Sequence, residues 1–330
     1  MDIPFADIRT VLAARLPDYP IQVTTVLGEG LDNVAYEVNG EPVLRVGKNP
    51  DPVARQVRAA REAALLAAVA PFAPLPIPEP AFATDGMLAY RTMPGVPLLE
   101  LPRRWRRANV RPIAGVLGDF LAALHAIPAD LVAAWVEADV EPFAEWLVEA
   151  TECYAAVIGE VPHEHRAGIE RFLRSAAPGE PAEHEMVFSH NDLGIEHVLV
   201  DRTSVGVLGV IDWSDAAFVD PATDFGLILR DLGPAALGVA VGRHPHASSA
   251  LAERAGFYAR CSVLEDLRYG VENDRPGYVD KSIDSLSWLF RGLSTPLGRP
   301  LDSASPPLGR ASPRGSTSAA RTNSALLGRV

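Results

Sequence analysis

Cysteine is scarce in this chain, which has only Cys153 and Cys261 among its 330 residues. Both lie in segments with helical periodicity, and neither has the short spacing of a metal-binding or redox motif. A disulfide-stabilised scaffold is therefore excluded, and we expect two buried, reduced thiols. This usage fits a reducing compartment.

Long apolar runs are also missing. No uninterrupted apolar stretch approaches the roughly 18 residues that a membrane-spanning helix needs. The first residues carry Asp2 and Asp7 and lack the apolar centre of a signal peptide. We therefore expect a cytoplasmic protein that makes no membrane contact.

Positively charged residues are also few. The chain has 30 Lys and Arg residues against 42 Asp and Glu residues, which gives a net charge of −12. A protein that tracks nucleic-acid phosphates concentrates Lys and Arg on one face, so we expect no nucleic-acid partner. A small cationic ligand is easier to accommodate. With 48% hydrophobic residues and a mean hydropathy of +0.08, the chain can bury a globular core.

The N-terminal part alternates between helical and strand periodicity. Residues 5–16 have helical spacing, and residues 21–48 predict an antiparallel meander with a hairpin turn at Asn39-Gly40. Pro52 to Val69 predict an amphipathic helix. The proline-rich residues 71–80 predict an extended linker, and residues 87–98 a strand that runs into a turn.

The C-terminal part is mainly helical in period. Helical spacing covers residues 103–175, and two more helices are predicted within residues 252–271 and 279–293. Between these regions, three short apolar runs predict buried strands: 186–188, 198–200 and 207–211. The sequence thus predicts an α+β fold with a small β-rich lobe at 1–92, a larger helical lobe at 93–293 and a disordered tail at 294–330 that is rich in Pro, Ser, Gly and Arg.

The strand ends carry a specific polar pattern, VFSHNDLGIEHVLVD at 187–201 followed by IDWSD at 211–215. It resembles the catalytic loop and metal-binding aspartate of protein-kinase-like folds, which implies a two-lobe kinase-like architecture. In those folds one Asp accepts a hydroxyl proton, an Asn holds metal and a second Asp binds Mg²⁺. The corresponding residues here are Asp192 as the catalytic base, His197 in the Asn position and Asp212 as the metal ligand. Alone, an Asp in a turn or a buried His such as His190 has an ordinary structural explanation.

A DFG triplet at Asp224, Phe225 and Gly226 spells the metal motif of protein kinases. It comes 32 residues after Asp192, whereas Asp212 follows a buried strand at the spacing the pattern requires. We therefore assign the metal to Asp212. Asp224 is expected to tie the start of a helix to the catalytic loop.

Phosphate recognition is expected from the N-terminal lobe. Gly28 and Gly30 lie between two predicted strands, where backbone N–H groups can approach an anion, although a plain hairpin turn has the same pattern. The kinase pattern also requires a strand cation paired with a helix Glu. Arg45 is the candidate in register and Lys48 the alternative. Glu62 is the expected partner, unless it pairs with Arg58 on its own helix.

Together these residues resemble the aminoglycoside phosphotransferase family, which includes the macrolide phosphotransferases, over residues 20–292. HNDLGIEHVLVD and GVIDWSDAAFVDPATDF are similar to its catalytic and metal segments. His in the Asn position is similar to the aminoglycoside 2″ and macrolide 2′ branches. Arg45 and LAYRTMPGVPL look like the macrolide branch, whereas HNDL and FYARCSVLEDLRYGVE look like the aminoglycoside branch.

The resemblance implies transfer of the γ-phosphoryl group of ATP or GTP, with Mg²⁺, to a sugar hydroxyl of a cationic antibiotic, with an aminoglycoside favoured. It places Glu265 and Asp266 where family enzymes face an amino sugar, although a solvated helix face has the same pattern. The backbone of the hinge would read the purine edge at Ala89, Tyr90, Arg91 and Thr92.

Three alternatives stay open at this point. The acceptor could be a macrolide, or the protein could be a small-metabolite kinase of the same fold. A non-catalytic nucleotide-binding pseudokinase is a third reading, in which Arg45 and His197 mark lost catalysis. Retention of both Asp192 and Asp212 argues against it, because a scaffold needs neither. We expect a monomer.

Overall fold

The computed structural model describes residues 5–30, 32–182 and 185–290. The predicted tail at 294–330 lies outside these residues. Within them, the fold is mixed α+β, with a β-sheet in the N-terminal region and helices in the C-terminal region. The predicted lobe boundary at residue 92 falls between the fifth and sixth strands and remains a prediction.

The N-terminal region is built on a five-stranded antiparallel sheet with the order β1-β2-β3-β5-β4. Tight turns close two of its hairpins, and two consecutive residues in each turn have positive φ: 54° and 82° at Asn39-Gly40, 52° and 74° at Asp85-Gly86. Such turns match the right-handed twist of the strands they join. The predicted Asn39-Gly40 turn is confirmed. The strands are β1 (Thr24–Glu29), β2 (Asn33–Val38), β3 (Pro42–Gly47), β4 (Pro80–Thr84) and β5 (Met87–Arg91).

One helix covers each face of this sheet. On one face, α1 (Phe5–Arg15) packs against Met87 and Ala89; on the other, α2 (Pro52–Val69) packs against Leu88 and Tyr90. The alternation along β5 follows from the two-residue period of a strand. Asp51 caps α2 by accepting a hydrogen bond from the Val53 N–H at 2.9 Å, and Pro52 occupies its first turn.

The C-terminal region packs its helices around one large apolar core, in which α8 lies against α4, α6 and α9. The predicted helical stretch at 103–175 is interrupted by a connection at 125–142 that contains only a single short turn of helix. The helices are α3 (Arg103–Leu124), α4 (Phe143–Val157), α5 (His163–Leu173), α6 (Ala222–Leu232), α7 (Pro234–Val241), α8 (Ser249–Glu272) and α9 (Pro276–Leu289).

Two small antiparallel sheets carry the polar pattern seen in the sequence. One contains β6 (Val96–Pro97), β8 (Val198–Val200) and β9 (Val207–Val210), and the other pairs β7 (Val187–Ser189) with β10 (Ala217–Val219). The three strands predicted here are confirmed to within one residue at each end. The prediction missed β10, and it missed β4, which begins at the last proline of the expected linker.

Two further expectations can be checked. Cys153 and Cys261 are free, buried thiols, as predicted. Across the described part of the chain, no helix has both the length and the apolar character needed to cross a membrane.

The packing of α6 against α8 gives a first test. A Cβ atom added at Gly226 would lie 2.9 Å from the Tyr258 Cβ and 3.0 Å from the Ala255 carbonyl oxygen, whereas one added at Gly238 meets nothing within 4 Å. We expect Gly226→Ala to lower the free energy of unfolding by about 1–3 kcal/mol because α6 must move away from α8. Gly238→Ala, also within a helix, should be neutral or stabilising by up to about 1 kcal/mol. Urea unfolding of both variants measures this, and equal effects would show that the two helices do not touch at Gly226.

Candidate active site

The catalytic loop runs from the end of β7 to the start of β8, and the Asp224 carboxylate anchors it. One oxygen, Oδ2, accepts hydrogen bonds from the Ser189 Oγ at 2.5 Å and the Asn191 N–H at 3.0 Å. The other, Oδ1, accepts from the Leu193 N–H at 3.0 Å. Asp224 is fully buried in the first turn of α6. It therefore ties α6 to the loop, as predicted, and its oxygens are occupied by the loop.

His190 supports the loop from the other side. Its Nε2–H donates to the Ile211 carbonyl at 3.0 Å, so Nδ1 carries the lone pair that accepts the Asp192 N–H at 3.3 Å. The ring edge packs against Trp213, with the centroids 4.9 Å apart. Burial lowers the pKa of His190 to about 4. This histidine is therefore neutral and structural.

Asp192 lies at the tip of the loop and faces a cavity. The preceding Asn191 has φ +66°, a left-handed conformation that Asn adopts more readily than most residues. The Asp192 side chain is 15% exposed, and its buried Oδ2 lies 3.4 Å from the His197 Nδ1 but accepts no hydrogen bond from any residue described by the structure. Burial raises the pKa of Asp192 to about 7, against the opposing effect of His197. The carboxylate thus has one oxygen buried against His197, and the exposed part of the side chain faces the cavity.

His197 is fully buried between two carboxylates. Its Nδ1 donates to the Asp192 backbone carbonyl at 2.8 Å, and its Nε2 lies 3.8 Å from the Asp212 Oδ2. Burial opposes the charged form, but the two carboxylates outweigh it and the pKa of His197 is raised. Nε2 has no hydrogen-bond partner among the described residues.

Asp212 and Arg45 join the two regions of the protein. Asp212 has φ +63° and accepts hydrogen bonds at Oδ1 from the Arg45 Nη2 at 2.9 Å and the Ser214 Oγ at 3.0 Å. Arg45 also pairs with Glu62. The expected cation–glutamate pair is therefore present. It links β3 and α2 to the segment that follows β9.

The sequence also allowed Lys48 in place of Arg45, and Arg58 as the partner of Glu62. The structure shows neither of these ion pairs. Lys48 is engaged elsewhere, because its Nζ lies 2.6 Å from both the Glu29 Oε1 and the Gly30 carbonyl. Arg58 pairs with Asp32 at 2.6 Å and makes no ion pair with Glu62.

The donor set at Asp212 and His197 partly fits a divalent cation. When Nδ1 carries the proton, the His197 Nε2 and the Asp212 Oδ2 present two lone pairs to each other, an arrangement that a shared cation would relieve. A carboxylate oxygen suits Mg²⁺, whereas imidazole nitrogen is a less usual ligand for it. No group of three or more His, Cys, Asp or Glu side chains fit to hold a metal exists in the described residues. Phosphate oxygens of a nucleotide would have to complete such a site.

The predicted glycine cradle needs correction. Gly28 lies inside β1 opposite Ala35, just after an irregularity in the strand, and so is not in the turn. The Gly30 N–H donates to the Asn33 carbonyl at 2.9 Å, and its own carbonyl accepts from Lys48. Only Gly30 therefore lies at the β1–β2 connection, where its N–H is already bonded.

The predicted purine-reading hinge also needs correction. Ala89 and Tyr90 lie in the middle of β5, between partner residues on β3 and β4, so their backbone groups belong to the sheet. Arg91 pairs with β3, and both the backbone N–H and the hydroxyl of Thr92 donate to the Glu41 carbonyl. Residues 93–95 connect the sheet to β6, and we call this segment the hinge. Recognition of the purine by the hinge region remains a prediction.

An apolar cluster beneath this hinge was missed by the sequence analysis. Met93, Leu199 and Ile211 form its buried part, and Leu208 packs against it. These residues join the hinge to the β8–β9 hairpin directly before Asp212. In the sequence they look like ordinary strand residues, and only the tertiary contact shows that they form one apolar surface next to the predicted nucleotide position.

Asp192 opens into an acidic cavity of about 310 Å³ between α4, α6 and α8. Glu265 lines it, as predicted. The cations in its wall are Arg230 and Arg268, and the latter pairs with Glu272 at 2.7 Å. The carboxylates that line the cavity are Asp139, Glu149, Asp192, Glu265, Asp266 and Glu272.

Asp266 fits neither of the two roles considered from the sequence, an acid that faces an amino sugar or part of a solvated helix face. It is only 5% exposed, so it does not belong to a solvated helix face. Its carboxylate accepts the Ser282 Oγ at 2.6 Å and lies 3.2 Å from the Lys281 Nζ. Its charge is thus already paired, which makes it a poor ligand for an amine.

Glu149 and Asp139 are cavity residues that the sequence analysis missed. Glu149 sits on α4 at a position typical of any amphipathic helix, and Asp139 lies in the connection before α4, where it accepts the Asn191 Nδ2 at 3.0 Å. Nothing in the local sequence distinguishes them from surface acids. Their position depends on how α4 packs against α8.

The comparisons with known proteins agree with this geometry. The model of the phosphotransferase enzyme family matches residues 23–258. The chain belongs to the phosphotransferase enzyme family. Its members are enzymes that transfer a phosphoryl group to a hydroxyl, and the predicted kinase-like fold is thereby confirmed. No curated protein sequence matches the chain.

Several solved structures share the kinase-like fold of this family member. The GDP and kanamycin complex of APH(2″)-IIia has a TM-score of 0.61 at 20% identity, over 85% of this chain and 97% of that chain. Macrolide 2′-phosphotransferase MphH from Brachybacterium faecium has a TM-score of 0.56 at 24% identity, over 89% and 100%. The gentamicin complex of APH(2″)-IIa has a TM-score of 0.56 at 21% identity, over 87% and 97%. At these identities the likeness establishes the fold.

Matched amide substitutions at Asp212 and Asp224 test the two assignments. Asp224→Asn places an NH₂ group against buried N–H or O–H donors, so we expect the free energy of unfolding to fall by about 2–3 kcal/mol or more. Asp212→Asn removes the carboxylate facing His197, and Asn tolerates the positive φ. We expect it to abolish the Mg²⁺ dependence of nucleotide affinity. Urea unfolding and calorimetric titration of nucleotide with and without Mg²⁺ measure the two effects, and a reversed pattern would make the DFG aspartate the metal ligand.

Proposed function

We propose that this phosphotransferase moves the γ-phosphoryl group of ATP or GTP to a sugar hydroxyl of an aminoglycoside. The observation that carries the proposal is the acidic cavity that opens directly beside Asp192. An aminoglycoside presents several ammonium groups, and a cavity lined mainly by carboxylates attracts them. The hydroxyl to be modified would then lie next to the loop carboxylate.

Glu149 makes the strongest case for a cationic ligand. It is half-buried on α4 and makes no hydrogen bond or ion pair with any other described residue. Burial, with the nearby Glu152, raises the pKa of Glu149, against an opposing effect of Arg268. A partly desolvated carboxylate that makes no ion-pair contact is stabilised when a ligand supplies a cation. Glu265 on α8 lines the same cavity.

The reaction is an in-line displacement on the γ-phosphorus. The acceptor hydroxyl oxygen forms the new P–O bond, the bond from the γ-phosphorus to the bridging oxygen breaks, and the nucleoside diphosphate leaves with that electron pair. The hydroxyl proton goes to Asp192. The Asp224 and His190 contacts hold this carboxylate in place, so its orientation does not have to be established during the reaction.

The groups that would neutralise the phosphates lie on the opposite side of the loop from the cavity. Arg45, held by Glu62, would face the phosphates, and Asp212 with His197 would hold Mg²⁺. Mg²⁺, when bound, neutralises part of the phosphate charge. The apolar surface formed by Met93, Leu199 and Ile211 would face the purine. Nothing among these residues distinguishes ATP from GTP.

The structural neighbours support the substrate class. The solved complexes contain kanamycin or gentamicin with aminoglycoside phosphotransferases, and GDP or ADP occurs among them. The macrolide enzymes are neighbours as well. A macrolide is the second candidate, because Trp146, Leu227 and Tyr269 give the cavity an apolar side that would receive a large ring.

The test combines a substrate panel with a charge variant. Purified protein is assayed with Mg²⁺, ATP or GTP, and kanamycin-like, hygromycin-like and erythromycin-like drugs. We expect aminoglycosides to be phosphorylated, and Glu149→Gln/Glu265→Gln to raise the KM for them about tenfold or more, because two ammonium contacts are weakened. The nucleotide KM should not change.

Glu145→Gln/Glu253→Gln is the matched control. It removes the same charge from the same two helices at exposed positions outside the cavity, and it should leave both KM values unchanged. Phosphorylation of macrolides alone would replace the acceptor and keep the site. Activity only on a metabolite would overturn the antibiotic substrate.

A further inference from the structure

A buried cluster of charged side chains lies behind the catalytic loop and has no part in the mechanism above. Its members are between 1% and 8% exposed and come from four separate segments of the chain. We refer to this group as the buried charge cluster. It consists of Glu196, Arg230, Asp231, Asp266 and Lys281.

One side of the cluster holds the catalytic loop. The Lys281 Nζ lies 2.7 Å from the Glu196 Oε2, and the Asp231 Oδ2 accepts the Ile195 N–H at 3.1 Å. A Cβ atom at Gly194 would lie 2.4 Å from the Glu196 Oε1. Only glycine at 194 therefore lets the Glu196 carboxylate fold back beneath the loop. Glu196 directly precedes His197.

The other side of the cluster forms the wall of the acceptor cavity. Arg230 and Asp266 both line that cavity. The Lys281 Nζ lies 3.2 Å from the Asp266 Oδ1 and 3.5 Å from the Asp231 Oδ2. A single ammonium group on α9 thus contacts carboxylates from the catalytic loop, from α6 and from the cavity wall.

Stability alone does not account for this arrangement. Desolvating charged groups is costly, and well-packed apolar side chains often replace buried ion pairs with no loss of stability. Burial and Arg230 disfavour the charged form of Lys281, but the three carboxylates outweigh them and its pKa is raised. Lys281 is therefore a charged group held at a fixed point among three carboxylates, and a fixed charge sets the geometry of what it contacts.

We propose that Lys281 is a positioning residue for phosphoryl transfer: by holding Glu196 against the cavity wall, it sets where the loop presents Asp192 and His197. It touches neither the acceptor nor the nucleotide. The proposal rests on the proposed function only for the choice of acceptor in the assay.

Lys281→Met tests the proposal, and Arg260→Met is its matched control. Arg260 also joins α8 to α9, because its Nε–H donates to the Leu289 carbonyl at 2.9 Å, and it contacts no group of the catalytic loop. Both substitutions replace a cation between the same two helices with the same side chain. Only Lys281 contacts the catalytic loop, through Glu196, so only Lys281→Met removes a contact to the loop.

For Lys281→Met we expect kcat to fall tenfold or more with the nucleotide KM unchanged, and the imidazole NMR signals of His197 to shift. Arg260→Met should lower Tm while kcat and those signals stay as in the wild type. Unchanged kcat and an unshifted His197 in Lys281→Met would overturn the proposal. An equal loss of kcat in Arg260→Met would also overturn it, because general loosening of α9 would then explain both.

A second variant covers the case in which Lys281→Met does not fold. Lys281→Met/Glu196→Gln removes one carboxylate together with the ammonium, so it should recover Tm toward the wild type while kcat stays low. Full recovery of kcat would contradict the proposal. Slow hydrolysis of the nucleotide by water and the NMR signals need no antibiotic, so they test Lys281 even if no drug in the panel is a substrate.

Discussion

Buried backbone N–H groups in the loop after β7 need acceptors, and the Asp224 carboxylate supplies two of them. The left-handed backbone at Asn191 and the hydrogen bonds of the neutral His190 ring hold the loop in one conformation. This conformation turns Asp192 toward the cavity. The rest of the proposed site depends on that geometry, since the proposed mechanism brings the acceptor and the phosphates to the loop from opposite sides.

Charged side chains lie on three sides of this loop. Toward the sheet, Arg45 joins Glu62 to Asp212, which places one cation beside the predicted phosphate position. Toward the helices, the acceptor cavity is lined mainly by carboxylates. Behind the loop, Lys281 and Arg230 balance most of the buried negative charge. The proposed function assigns the nucleotide to the sheet side of Asp192 and a cationic acceptor to the helix side.

Local patterns in the sequence were enough to predict much of this. Short apolar runs bounded by polar residues gave the strands around Asp192 and Asp212, and the helix at 52–69 agreed with its observed bounds. Tertiary contacts explain what was missed. Asp266 is paired by Lys281 on the next helix, fifteen positions further along, which no helical period reveals. Backbone groups at Ala89 are occupied because β4 closes the far side of β5, and its proline-rich start concealed that strand.

The most direct measurement of the central claim compares two quantities in Asp192→Asn: the rate of phosphoryl transfer and the dissociation constant of the nucleotide. The account predicts that transfer falls by about a hundredfold or more, because the hydroxyl proton loses its acceptor. Nucleotide affinity should stay within about twofold, since the carboxylate acts on the acceptor side of the loop. Turnover at the wild-type rate would contradict the role of Asp192 as the base.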